Sequence, residues 1–360
     1  TISGLSAREL ATQCGTPTFF IDEDHFRDRA RAWSKSLEQH FGQSAGDVYY
    51  AAKAFICTDV ARWIKEEGIG IDVCTGGELA VALAGGIDPK KIEVHGNNKS
   101  VAEIDRAVHV GVKTIVIDSL FEIDRVAAAA SKHGVRQGVM LRLTPGVEAH
   151  THESISTAHE DVKFGFSIAS GAAAVAVAEV LTHTSLELRG FHCHVGSQIF
   201  GTDSFELAAT RIIALMKACK EKHGIELPEL DLGGGYAIAY LSGETTVEPE
   251  DVLPSLSAVV KRECAAAGLA LPIISIEPGR NIVGPTTFTL YEVGTVKDVL
   301  LEDGSTRRYI SVDGGMSDNI RPSLYGAEYS AVLADRVSTS AHVLSRVVGK
   351  HCETGDIVIR

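Results

Sequence analysis

The chain has 360 residues, enough for one large α/β unit and a smaller domain. Hydrophobic residues make up 45% and charged residues 22%, the balance of a folded globular chain and not of a disordered one. A formal net charge of −13 argues against nucleic acid and anionic membrane as partners, but leaves room for an anionic small molecule in a local basic pocket.

In chain order, PTFFI (17–21) reads as a strand that precedes the main unit and could join it, and a charged helix follows from about Asp22 to His40. VYYAA (48–52) has the β-branched and aromatic bias of a buried strand, and it delivers Lys53 to the strand's end. An ammonium inside a core is costly unless it is paired or its pKa falls, and such a place suits a lysine that forms a Schiff base with a carbonyl. Taken alone, a snorkelling lysine is the simpler reading.

Further strands are expected at GIDV (70–73), IEVH (92–95), TIVID (114–118), GVMLRL (138–143), LELRGFHCH (186–194), ELDLG (229–233) and IISIE (273–277). Helical stretches lie between them, including Thr75 to Ala84, Val101 to Val110, Leu120 to His133 and Phe205 to His223. Strands alternating with helices in this number predict a (β/α)8 TIM-type barrel over residues 22–277. A doubly wound open sheet would carry a glycine fingerprint after its first strand, and there is none. After Glu277 the helical periodicity stops. FTLYEVGTVKDVL, RRYISVDGG and DIVIR alternate like antiparallel strands, with turns at Asp303–Gly304 and Gly314–Gly315, so residues 1–21 and 278–360 are expected to form a mainly antiparallel β-domain.

Barrel chemistry sits at the C-terminal ends of the strands. There the chain places Lys53, Asp72, His95, Asp118, Arg142, His194, Gly233 to Gly235, and Glu277. DLGGGY (231–236) lets backbone N–H groups approach a phosphate without side chains in the way, and EPGR (277–280) adds a glycine and an arginine at the next strand end. Phosphate, lysine and carboxylate together point to pyridoxal phosphate, whose ring nitrogen needs a carboxylate partner to stay protonated. Glu277 is the candidate for that partner. GFHCHVGSQ (190–198) offers His194 to lie against the ring and Ser197 to reach the phosphate.

Read together, YYAAKA, HGNNK, GFHCHVGSQ, DLGGGY, EPGR, DGGMSDNIRPSLY (313–325) and HCETGD (351–356) resemble, in order and over nearly the whole chain, the fold type III (alanine-racemase-like) pyridoxal-phosphate decarboxylases, in the branch acting on a diamino diacid. The resemblance implies loss of CO2 from meso-diaminopimelate to give L-lysine, by a homodimer whose active sites are shared across the interface. It implies Lys53 as the Schiff-base lysine, Glu277 at the pyridine nitrogen and His194 stacked on the ring. Ser197, Gly233, Gly234, Gly235, Gly279 and Arg280 fall in the phosphate-binding segments, with Arg280 also facing substrate. Arg321 and Tyr325 match residues that hold the distal carboxylate, and Cys352 and Glu353 match the pair that reaches into a neighbouring subunit's site. Members of the family continue for several tens of residues past the HCETGD-like segment and have a further tyrosine near the cofactor, so part of the β-domain is expected to be lacking here. Thr354 stands where serine is usual.

The substrate class agrees with the residue types. A diacid needs fixed cations at its non-reacting end, and guanidinium forks suit carboxylates. Glu353 could meet the second amino group. Cys352, a thiol with an ordinary pKa of about 8.5, is near enough to working pH to protonate the α-carbon. Related readings are a decarboxylase of a basic amino acid or polyamine precursor, a racemase, or a non-catalytic regulatory homologue. A racemase is better served by an arginine at the ring nitrogen, and a regulator has no need of these residues together.

Seven scattered cysteines without a CxxC pair predict neither a disulfide framework nor a zinc site, and with no visible signal peptide or apolar run of roughly 20 residues they predict a cytoplasmic location. His150, His152 and His159 fit no ligand spacing, so no metal is expected.

Overall fold

A computed structural model describes residues 4–147 and 163–360. The chain packs into two compact units, one of residues 26–238 and 246–284, the other of the described residues up to 25 with 239–245 and 285–360.

The larger unit is a closed barrel of parallel strands. These are β2 (Ala45–Ala51), β3 (Gly70–Val73), β4 (Ile92–Val94), β5 (Thr114–Ile117), β6 (Gln137–Thr144), β8 (Leu186–Cys193), β9 (Glu229–Asp231) and β10 (Ile273–Ile276). Each pairs with the next in that order, and β10 returns to β2 through Ile274 with Ala45 and Ile276 with Val48. A short strand, β7 (Phe166–Ser167), pairs with β6 outside the ring. The helices Val101–Val110 and Leu120–His133 span the residues expected of them.

The periodicity that predicts these elements also explains their packing. The helix Glu23–Phe41 buries Phe26, Ala30, Trp33, Leu37 and Phe41, the three- and four-residue spacing of a single apolar face. Each large member of that stripe contributes about 1.5–3 kcal/mol by leaving water. The helix Val101–Val110 starts at a capping box, Ser100 Oγ accepting from the Glu103 N–H while Glu103 accepts from the Ser100 N–H. It ends at Gly111 in the left-handed conformation.

In the smaller unit β1 (Thr18–Ile21) pairs antiparallel with β11 (Thr287–Leu290), so the PTFFI strand belongs with the β-rich segments and not with the barrel. A four-stranded sheet follows, in the order β12 (Val293–Leu300), β13 (Thr306–Val312), β14 (Ser345–Val348), β15 (Ile357–Ile359). β14 was not expected from the sequence, and its pairing with β13 is parallel within an otherwise antiparallel sheet. Its four residues, SRVV, are too short for a period to show, and only the partner strand makes them β. Among the described residues no helix is long and apolar enough to cross a membrane.

Candidate active site

Lys53 lies two residues beyond β2, in a single 3-10 turn, Ala52–Ala54, and it is exposed. The strand ends at Ala51, and the turn carries Lys53 at the strand's end, exposed and not within the apolar layer. The Tyr50 hydroxyl fixes this turn by donating to the Phe55 carbonyl at 2.6 Å. Gly279 packs against Ala51 so closely that a Cβ there would come within 2.5 Å of the alanine methyl, which sets EPGR beside the lysine turn.

Glu277 follows β10 and is buried. Its Oε1 lies 3.1 Å from Nε2 of His95 and 3.2 Å from Nε2 of His192, contacts close enough for ion pairing but off the axis of a linear hydrogen bond. Burial alone would raise the Glu277 carboxyl; His95 and His192, with Lys53 behind them, outweigh it and hold the group well below the usual carboxylate range. Burial pushes both imidazoles down, with Glu277 opposing. Three more carboxyls sit in the barrel interior. Asp72 and Asp231 are driven well above their ordinary value by burial and by the Glu277 charge, and Glu93, buried against the pull of Lys113, is pushed up to about 8. Glu277 is therefore the acid of this group that keeps its negative charge. The sequence motif points to His194 and not to His192. The alternation of GFHCH could have signalled it, since residues two apart face the same way.

His194 stands just past β8, and its Nδ1 accepts from the Gly234 N–H at 3.3 Å. Burial, with Lys53 and Arg142 nearby, lowers its imidazole well below the ordinary value. Ser197 accepts from Nη2 of Arg280 at 3.0 Å, so a hydroxyl and a guanidinium meet at the mouth. The glycine loops interlock backbone to backbone. A Cβ on Gly234 would overlap the Glu277 carbonyl, and one on Gly235, whose φ is 115°, would overlap the Gly196 carbonyl. Gln198 clasps the same loops, donating to the Ile238 carbonyl at 2.7 Å and accepting from its N–H at 3.0 Å. EPGR is not a plain loop: Gly279 and Arg280 open a short helix, Gly279–Val283.

In the smaller unit Arg321 begins the short helix Arg321–Tyr325. Its Nε donates to the Tyr329 hydroxyl at 2.8 Å, and its guanidinium lies over the rings of Tyr325 and Tyr240. Among the described residues its side-chain partners are aromatic rather than carboxylate, which speaks against surface ion pairing as the reason for it. Tyr329 and Tyr240 were not picked out in the sequence. Cys352 and Glu353 are both exposed, so Cys352 is not an inert core thiol. The turn that carries them is built on Asp356, which no sequence signal singles out. Its buried carboxylate accepts from the N–H groups of His351 and Met316 and lies 2.7 Å from Nδ1 of His351.

The barrel residues fit pyridoxal phosphate: an accessible amine, a buried carboxylate held in its ionised form, and a mouth of glycine backbone, hydroxyl and guanidinium for a phosphate. Donors of His95, His192 and Glu277, or of Glu93, Asp231 and Glu277, are also close enough to share an ion, but Glu277 is in both groups, so an ion and a ring nitrogen would compete for it. His150, His152 and His159 lie outside the described residues.

A parallel barrel with these groups at its strand ends defines a phosphate-cofactor enzyme of the lysine-linked class. The chain belongs to the pyridoxal-dependent decarboxylases: residues 23–284 match that family's pyridoxal binding domain. Over its whole length it is 53% identical to the diaminopimelate decarboxylase of Mycobacterium tuberculosis, covering 80% of that protein. It is 42% identical to that of Halalkalibacterium halodurans, with 99% of this chain and 80% of the other aligned. The structure is similar to diaminopimelate decarboxylase of M. jannaschii in complex with L-lysine, with a TM-score of 0.91, 28% identity, and coverage of 100% of this chain and 81% of the other. The Helicobacter pylori enzyme, also with L-lysine, gives a TM-score of 0.85 at 26% identity, covering 98% and 83%.

Proposed function

We propose that this chain is a diaminopimelate decarboxylase, converting meso-2,6-diaminopimelate to L-lysine and CO2 at the end of lysine biosynthesis. One observation carries the reading: the lysine turn, buried carboxylate and glycine mouth occur together in a chain more than half identical, from end to end, to a curated diaminopimelate decarboxylase.

Pyridoxal phosphate, when bound, supplies an electron sink for the pair left on the α-carbon as CO2 departs. Lys53 would hold that cofactor covalently through its exposed amine. Glu277, ionised in a dry pocket, would keep a proton on the ring nitrogen, a preorganised charge in the place where the reaction needs it. Ser197, Gly233, Gly234, Gly235, Gly279 and Arg280 would receive the phosphate, and His194 would cover one ring face. Arg321, steadied by Tyr325 and Tyr329, would take the distal carboxylate of the diacid, with Arg280 as a second cation. Glu353 would meet the distal ammonium, and the Cys352 thiol would deliver a proton to the α-carbon after CO2 leaves. Cys352 and Glu353 would serve the site of a second copy in a homodimer. With a net charge of −13 and no long apolar helix among the described residues, the reading is of a cytoplasmic enzyme without nucleic-acid or membrane partners.

The test is to supply the purified protein with pyridoxal phosphate and meso-diaminopimelate and to measure CO2 and L-lysine. Both should appear only when cofactor and diacid are present together. Release of CO2 from L-ornithine or L-lysine in preference to the diacid would replace this function with that of a basic amino-acid decarboxylase.

A further inference from the structure

Two histidines in the barrel interior have no packing reason to be histidines. Barrel interiors are ordinarily filled by branched apolar side chains, and a buried imidazole carries a desolvation penalty that a phenylalanine of similar volume would not. His192 is 1% and His95 4% exposed, and both nitrogens of His192 lack a linear hydrogen bond among the described residues. Yet both rings bring Nε2 to the same atom, Oε1 of Glu277, at 3.2 and 3.1 Å. The rings meet edge to face, centroids 4.7 Å apart and planes at 75°, in direct contact with each other.

We propose that His95 and His192 are positioning residues for Glu277, gripping one carboxylate oxygen and leaving the other to the cofactor's ring nitrogen. This rests on the reading that Glu277 partners that nitrogen. The electrostatic setting shows why a grip is needed. Asp72, Glu93 and Asp231 crowd Glu277 in a desolvated space where burial and mutual repulsion push carboxyls toward their neutral forms. A carboxylate so placed tends to take up a proton and turn from acceptor to donor, which would oppose two hydrogens across the ring-nitrogen contact. Lys53 and Arg142 add positive charge from the mouth, but the imidazoles are the groups in contact. Contacts of this kind are commonly bent in a free site and straighten when it fills.

The experiment compares His95→Phe and His192→Phe with His95→Gln and His192→Gln, since glutamine keeps a neutral N–H donor at similar reach. All proteins are stripped of pyridoxal phosphate, kept in EDTA, and titrated with it by fluorescence; the absorbance of the loaded proteins is then followed from pH 6 to 9. The phenylalanine variants should bind pyridoxal phosphate about ten- to a hundredfold more weakly, the usual loss when an orienting partner is removed, and should show a pH-dependent absorbance absent from wild type. Their kcat should fall more than KM rises, the glutamine variants should recover most of each property, and the stripped phenylalanine proteins should melt no lower than wild type. Phenylalanine variants that bind and titrate like a functional wild type overturn the proposal. So does a loss that glutamine fails to restore and that accompanies a lower melting temperature, because the role is then structural. Failure of wild type itself to take pyridoxal phosphate is a separate result, and it removes the underlying reading as well.

Discussion

The indole Nε1 of Trp33 donates to Oδ1 of Asn281 at 2.9 Å, tying the first barrel helix to the segment that carries Arg280. Asn281 is saturated. Oδ1 also accepts from Nη2 of Arg29 at 2.6 Å, and Nδ2 donates to the carbonyls of Ala237 and Val247 at 3.1 and 2.9 Å. Asn281→Leu strands the two buried donors and the Val247 carbonyl at once, while the Ala237 carbonyl keeps the Val247 N–H. At about 1–3 kcal/mol for each unpaired buried group, the barrel should lose at least about 3 kcal/mol in denaturant unfolding. Trp33→Phe, which removes one donor and leaves the aromatic packing, should lose about 1 kcal/mol. An Asn281→Leu protein as stable as Trp33→Phe would show that the network is slack.

Lys53 should be the residue that carries the cofactor. Borohydride reduction of the loaded protein, followed by peptide mapping, should find the pyridoxyl group on Lys53. Label on Lys99, buried and bonded to the Gly96 and Val116 carbonyls, or on any other lysine would end that assignment.

If Arg321 holds the distal carboxylate, Arg321→Ala should harm meso-diaminopimelate turnover far more than turnover of any substrate without that group. Tyr329→Phe should produce a smaller loss of the same selectivity, since it frees the guanidinium to swing while keeping its charge. Equal losses on both substrate types would assign Arg321 to the fold.

Glu93 sets a pH dependence with a definite sign. Its folded carboxyl is pushed up to about 8 by burial, against roughly 4.3 in an unfolded chain. The stability of the neutral form is therefore complete below about pH 4 and is lost as pH rises toward 8. Glu93→Gln keeps the neutral shape, so it should match wild type at about pH 4 and be more stable near pH 8, removing at most about 1.4 kcal/mol of decline per pH unit. Asp72 and Asp231, raised in the same direction, should leave some slope in the variant. Melting curves across this range decide it; parallel profiles would mean that Glu93 is ionised throughout.

If Cys352 serves a second copy's site, two defective chains should complement. Lys53→Ala and Cys352→Ala proteins, each nearly inactive, should regain activity when mixed and reassorted. One site of a mixed dimer carries both defects and the other neither, and half of randomly assorted dimers are mixed, so recovery should approach about one quarter of wild type. Demonstrated subunit exchange without recovery would place Cys352 and Lys53 in the same chain's chemistry.

What the sequence determined by itself is whatever repeats locally. Strand-length apolar runs separated by helices with period 3.6 placed the eight barrel strands to within a few residues, and side chains immediately after those runs had to collect at one rim. That is why Lys53, the glycines 233 to 235 and Glu277 could be read as a set. The tertiary structure decided what depends on distance between strands. His192 and His194 share a face by alternation, and which of them meets Glu277 turns on which lies level with the end of β10, fixed only when the ring closes with its own stagger. Asn281 and Asp356 are ordinary polar letters until folding surrounds them with unpaired backbone and leaves them the nearest groups able to satisfy it. β14 has no signal of its own, because four residues become a strand only when β13 offers them hydrogen bonds. Lys53 shows the same limit at single-residue scale. Its place after a buried strand was legible, but its exposure depends on a turn held by the Tyr50 hydroxyl, a contact that no periodicity records.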